Sequence, residues 1–302
     1  MLRRFTVLLM LVAVLGGTWL FAAIQSPPVV ATAAQPAEQM ARAQDTPAPP
    51  SGENLTVYAA ASLTNAFTEI AALYTLRTGW QVDFNFGASS ALRTQIEQGG
   101  VADVFASADT RQMDMLVASG LNAWNPEIFV TNRLVVIVPA SNPAGITTLR
   151  DLGNPGVKFI TTQPSVPIGQ YTLQVLDNMS ADPAFGSDFR ARVEANIVSS
   201  EENVRGILSK VALGEADAGI VYISDINAAP PDSLLTLEIP DQFNVLAQYP
   251  IVGLADAPHL DQAQLFVDLV FSPEGQAILG HYRFSPVLTP RPLGMPLVPT
   301  AS

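Results

Sequence analysis

The 302-residue chain has no cysteine, only two histidines and only two lysines, Lys158 and Lys210. Without cysteine there can be no disulfide, thiol nucleophile, cysteine-bound zinc or lipid-modified N-terminal cysteine. His259 and His281 stand far apart, and neither lies in a motif that would activate a serine. Basic runs end at Arg4, and the formal net charge is −12, which disfavours a nucleic-acid partner. Also missing are a G-x-S-x-G elbow, an S-x-x-K pattern, a glycine–lysine phosphate loop and a G-x-G-x-x-G turn. "FGASSAL" comes nearest to the first of these and lacks its second glycine. Asp103, Asp217 and Asp225 do not have the dense oxygen-ligand spacing of a calcium loop. The Glu201–Glu202 pair reads as solvated or as the start of a helix. No enzyme and no resident cofactor are expected.

What is present starts with "MLRRFTVLLMLVAVLGGTWLFAAI". Two arginines precede an uncharged apolar stretch from Phe5 to Ile24. This is the pattern of an export signal, and the stretch is also long enough for an uncleaved membrane anchor. Either reading of residues 1–24 puts the remainder outside the cytoplasmic membrane. Residues 25–53 are rich in Pro, Ala and Gln and carry almost no large apolar side chain, so they read as a disordered linker. Of 15 basic and 27 acidic side chains, three and two precede Glu53, which leaves 12 and 25 and a formal −13 beyond the linker.

From Leu55 onward, β-like and helix-like runs alternate. "LTVYAA", "WQVDFNF", "ADVFAS", "RLVVIVPAS", "VKFITT", "ANIVSS" and "AGIVY" read as strands, and "LLTLEI" and "FNVLAQYPIVGL" add further strand material. Leu63, Ala66/Phe67, Ile70 and Tyr74 form one apolar helical face. "SSALRTQIEQGG" predicts a short helix stopped by Gly99 and Gly100, and Asp109 is placed to cap the next one. Further helices are predicted after Pro167, over 204–213, and near 261–271 and 274–281. The alternation predicts an α/β architecture in two lobes, each a mostly parallel sheet flanked by helices. We expect residues 54–136 with 250–302 in lobe I and 137–249 in lobe II.

Ligands of such folds bind beyond the carboxyl ends of strands, where loops enter helix N-termini. Four turns share a character there: Ser62 after three alanines, Ser89 after "FGA", "SVPIG" before a helix, and "SSEENVRGIL" opening another. Each presents free N–H groups at the positive end of a helix dipole, and two add a hydroxyl. Singly, each serine reads as a helix cap, as expected for Ser62, Val204 reads as core, and Tyr222 reads as a core tyrosine. Their recurrence at one sheet edge points to an anion.

"VYAAASLTNAF", "FGASSALRTQIEQG", "ADVFASAD", "VPIGQY", "ENVRGIL" and "GIVYISD" follow one another in an order and spacing that resembles the molybdate-binding proteins of ABC importers, over nearly all of residues 54–285. The resemblance implies a type II periplasmic-binding fold with tetrahedral molybdate or tungstate held between the lobes. Molybdenum would thus be bound as its oxyanion, with no direct cation site. The contacts it implies are the hydroxyl and N–H groups of Ser62 and Ser89, the N–H groups of Ile168 and Val204, and the Tyr222 hydroxyl. Ile168 stands where the family often has alanine, and Asn203 where an acidic residue is common. The implied partners are the permease subunits of an importer, with the chain itself a monomer. Sulfate or thiosulfate binding, or a tethered oxyanion sensor, are the alternatives this reading leaves open.

Overall fold

The computed structural model of the chain describes residues 54–286. The expected export segment and the expected linker, 1–24 and 25–53, lie outside the described residues. The chain opens with β1 (Leu55–Ala60), a 3-10 turn (Ala61–Leu63), α1 (Thr64–Thr78), β2 (Val82–Gly87), α2 (Ser89–Glu97), β3 (Val104–Ala106) and α3 (Thr110–Ala118). It continues through β4 (Glu127–Asn132), β5 (Leu134–Pro139), β6 (Phe159–Thr162), α4 (Pro167–Ser180), α5 (Phe189–Ala195), β7 (Ile197–Glu201), α6 (Val204–Ala212) and β8 (Ala218–Tyr222). The last elements are β9 (Leu234–Glu238), β10 (Ala247–Gly253), α7 (Leu260–Phe271), α8 (Pro273–His281) and β11 (Ser285–Pro286).

Two sheets result, one of six strands in the order β11-β4-β10-β3-β1-β2 and one of five in the order β7-β6-β8-β5-β9. Each has a parallel core, β2-β1-β3 in the first and β7-β6-β8 in the second. The remaining pairings are antiparallel, so the sheets are mixed rather than mostly parallel. The difference comes from β4, β5 and β10, which carry the chain between the sheets and run against their neighbours. The chain leaves the first sheet after Asn132, enters the second at Leu134, and returns over 239–246.

The elements form where local chemistry favours them. Asp109 caps α3 by accepting the Gln112 N–H at 2.9 Å, and Asn203 caps α6 by accepting that of Arg205 at 2.9 Å. Pro167 opens α4 at its first position, where a missing N–H costs nothing. Every residue of β5 is buried, as its unbroken apolar run requires. On the first sheet, Phe67 of α1 packs with Phe129 and Phe266, ring centroids 5.7 Å away in each case. Every candidate turn projects from the carboxyl ends of the two parallel cores.

Candidate functional site

The five expected contact residues come from five strand ends. Ser62 follows β1, Ser89 follows β2, Ile168 is the second residue of α4 after β6, Val204 is the first of α6 after β7, and Tyr222 ends β8. All five line one cavity, whose space for the centres of water-sized guests is about 20 Å³. That is about the room one or two waters need, so the guest must be small. The walls between the polar groups are Ala60, Ala61, Gly87, Ala88 and Ala108 from the first sheet's turns, with Val166 and Pro167 opposite. Methyl-sized side chains let main chain approach the guest directly.

Local geometry decides what each group offers. The first N–H groups of α2, α4 and α6 have no acceptor one turn earlier in their helices, and among the described residues no capping side chain takes those of Ser89, Ile168 and Val204, which stand at positive helix ends. Ser89 Oγ accepts the Ala108 N–H at 3.0 Å, which leaves its own proton to donate elsewhere. Gly169, next to Ile168, has to be glycine. A Cβ there would lie 2.4 Å from the Gln163 carbonyl oxygen and 2.9 Å from that of Thr162. The Ser62 expectation needs correcting. Its side chain caps no helix, because it sits inside the 3-10 turn and the start of α1 has no side-chain cap. Its Oγ lies 3.0 Å from the Tyr249 hydroxyl instead.

Tyr222 is almost wholly buried, and its hydroxyl has no hydrogen-bond partner among the described residues. Burial pushes its phenol far above the ordinary range, with neighbouring Tyr249 and Tyr171 adding to the effect, so it remains a protonated donor. An unpaired buried donor is costly unless a guest accepts from it. No carboxylate, lysine or arginine lines the cavity among the described residues. The nearby acids are engaged elsewhere. Asp225 accepts the Tyr222 N–H at 3.2 Å, and its other oxygen lies 3.0 Å from Arg205 Nε. Desolvation outweighs that guanidinium and pushes the Asp225 carboxyl up to about 6. Asp103 accepts the N–H groups of Thr56 and His259 at 2.7 and 2.8 Å, and Asp217 that of Lys158 at 2.8 Å. These carboxylates brace main chain, and no cluster of three metal-ligating side chains occurs among the described residues.

Contacts from opposite sides meet over the cavity. Arg205 of α6 donates to the Ala61 carbonyl at 3.2 Å and to Asn65 Oδ1 at 3.0 Å. Gln112 of α3 donates to the Ser165 carbonyl at 3.1 Å, and the Tyr171 hydroxyl to that of Ala108 at 3.4 Å. The result is a small, partly open, uncharged chamber rich in hydrogen-bond donors, with Asn203 also on its lining, suited to a compact guest whose surface is all acceptor. Sequence reasoning missed Tyr249, Asn132 and the reach of Arg205. Arg205 stands inside "ENVRGIL" and was legible as part of that motif. Tyr249 lies in an ordinary strand run that gives no sign of what its hydroxyl meets.

Residues 55–285 match the family model described as bacterial extracellular solute-binding protein. The molybdate-binding protein ModA of Mycobacterium tuberculosis is 38% identical over 233 residues, 77% of this chain and 84% of that protein. Its Escherichia coli counterpart is 30% identical over 238 residues, covering 76% and 88%. Among solved structures, the periplasmic molybdate-binding protein of Azotobacter vinelandii superposes with a TM-score of 0.65 at 23% identity, covering 78% of this chain and all of that one.

Proposed function

The chain belongs to the bacterial extracellular solute-binding protein family, and from that premise we propose that it captures molybdate in the cavity between its two sheets for delivery to an ABC permease. It is a binding component of a transporter and not an enzyme. The same donors suit tungstate. In this reading the two sheets are the cores of two lobes, the first contributing Ser62 and Ser89 and the second Ile168, Val204 and Tyr222. Residues 1–24 serve as export signal or anchor and 25–53 as the spacer that keeps the binding domain outside the cytoplasmic membrane.

The observation that carries the reading is the buried Tyr222 hydroxyl, without a partner among the described residues, lining the same cavity as two serines and two helix N-termini. A protein of net charge −12 binding a dianion looks contradictory. Opposite charge is not needed where fixed neutral donors surround the anion. Each charge-assisted hydrogen bond contributes about 1.5–3 kcal/mol net, so some seven donors give roughly 10 kcal/mol or more. Micromolar affinity needs only about 8 kcal/mol, so the remainder covers ordering and desolvation. Closure completes the donor shell, and the closed form is what a permease distinguishes.

A thermal-shift panel with molybdate, tungstate, sulfate, thiosulfate and phosphate tests this. Micromolar molybdate and tungstate should raise the melting temperature and phosphate should not. No shift with either heavy oxyanion rejects the reading.

A further inference from the structure

Ser89 has its donor role fixed by the backbone, because Ala108 occupies its acceptor side. Ser62 has no such anchor. Its hydroxyl meets that of Tyr249 at 3.0 Å, and taken alone either oxygen could donate. The surroundings of Tyr249 decide the matter. Asn132 Oδ1 accepts the N–H of Arg133 at 2.9 Å, which fixes which way the amide faces. Its Nδ2, which can only donate, then points at Ser224 Oγ at 2.8 Å and at the Tyr249 phenolic oxygen at 3.4 Å. With that oxygen receiving an N–H, the one proton of Tyr249 is left for Ser62 Oγ. Ser62 accepts it and turns its own proton into the cavity it lines. Both Asn132 and Tyr249 are fully buried, so no solvent competes for these bonds.

We infer that Asn132 and Tyr249 are positioning residues that hold Ser62 as a hydrogen-bond donor, and that through them the cavity rejects oxyanions that still carry a proton. The inference rests on the reading of the cavity as an oxyanion site. The arrangement sits where the chain crosses between the sheets, Asn132 on the outgoing strand and Tyr249 on the returning one. A hydrogenphosphate ion entering the chamber finds donors from the serines and helix ends, no carboxylate among the described lining residues to accept its P–OH proton, and an Asn203 side-chain oxygen already engaged by the Arg205 N–H. The unmet proton costs the binding free energy that separates it from a bare dianion.

Tyr249→Phe removes the backing proton and keeps the ring that packs against Tyr222, Phe129 and Phe284. Calorimetric titration of the whole chain with molybdate, sulfate and phosphate, at slightly alkaline pH, should show bare dianions about two- to tenfold weaker in the variant. Phosphate should gain relative to sulfate by a similar factor, since Ser62 is freed to accept. In a Ser62→Ala background, Tyr249→Phe should change neither quantity. Unchanged ratios in the single variant overturn the inference, as does an equal cost with and without Ser62. Wild-type binding of phosphate as tight as sulfate also overturns it. If the wild type binds sulfate and not molybdate, the molybdate assignment falls and the inference is decided on sulfate. Binding of none of the three removes both. Independently of any variant, neutron diffraction from the wild-type protein should place a deuterium on Tyr249 directed at Ser62 Oγ. A deuterium on Ser62 directed at Tyr249 overturns the inference.

Discussion

Tyr222→Phe deletes one oxygen, and that deletion should spare stability while it weakens binding. In the wild type the buried hydroxyl makes no hydrogen bond to another described residue, so its removal breaks no bond within the described part of the protein. Phenylalanine keeps the ring, which meets those of Tyr171 and Tyr249 edge-on at 6.3 and 5.7 Å, and loses only the hydroxyl. The ligand-free variant should therefore be at least as stable as the wild type. A gain of each kcal/mol would raise Tm by about 2–4 °C for a domain of this size. Bound to molybdate, the same hydroxyl donates to a dianion, and its loss should cost about 1.5–3 kcal/mol, roughly ten- to a hundredfold in Kd. Scanning calorimetry without ligand and titration calorimetry with it separate the two effects. Unchanged affinity, or a ligand-free Tm clearly below that of the wild type, would refute the reasoning.

Ser62→Ala and Ser89→Ala should each weaken molybdate binding about ten- to a hundredfold by titration calorimetry. Both should also lower stability by about 1–3 kcal/mol in urea melts, because Ser89→Ala strands the buried Ala108 N–H and Ser62→Ala strands the buried Tyr249 hydroxyl. Gly169→Ala should destabilise by about 1–3 kcal/mol and weaken binding, since its Cβ meets carbonyl oxygens that cannot retreat and shifts the Ile168 N–H. Asp225 gives a pH signature. Its folded carboxyl titrates at about 6 against an ordinary 3.8, so between those values the folded state holds more protons than the unfolded one. The stability of the wild type relative to Asp225→Asn should therefore fall as pH rises through that window and level off above it, measured by urea melts at stepped pH. A flat difference would show that Asp225 does not titrate in this way.

The parallel cores were legible because their strands are apolar runs that end in small residues and helix starts. "LTVYAA", "VKFITT" and "AGIVY" declare both the strand and the turn that follows. β4 was not legible, since Glu127, Thr131 and Asn132 break its apolar pattern and it is held by pairing with β10 and β11. α5 is short, with arginines and glutamate at three of its seven positions, and rests on Phe189 and Val193 as its buried residues. The mixed character of the sheets follows from which strands carry the crossings, information that no local pattern holds. At the site, helix N-termini can be read from capping and proline signals, so Ile168 and Val204 were accessible. Ser62 was assigned a capping role from its position, yet a 3-10 turn rotates its side chain toward Tyr249, which is 187 residues away in sequence. Pairings of that range are settled by tertiary packing alone.

A crystal structure with molybdate bound, using the anomalous signal of molybdenum, puts the central claim to its most direct test. One peak should lie in the cavity, its oxygens about 2.7–3.2 Å from the Ser62, Ser89 and Tyr222 hydroxyls and the Ile168 and Val204 N–H groups. A peak anywhere else, or none at saturating molybdate, would contradict the account.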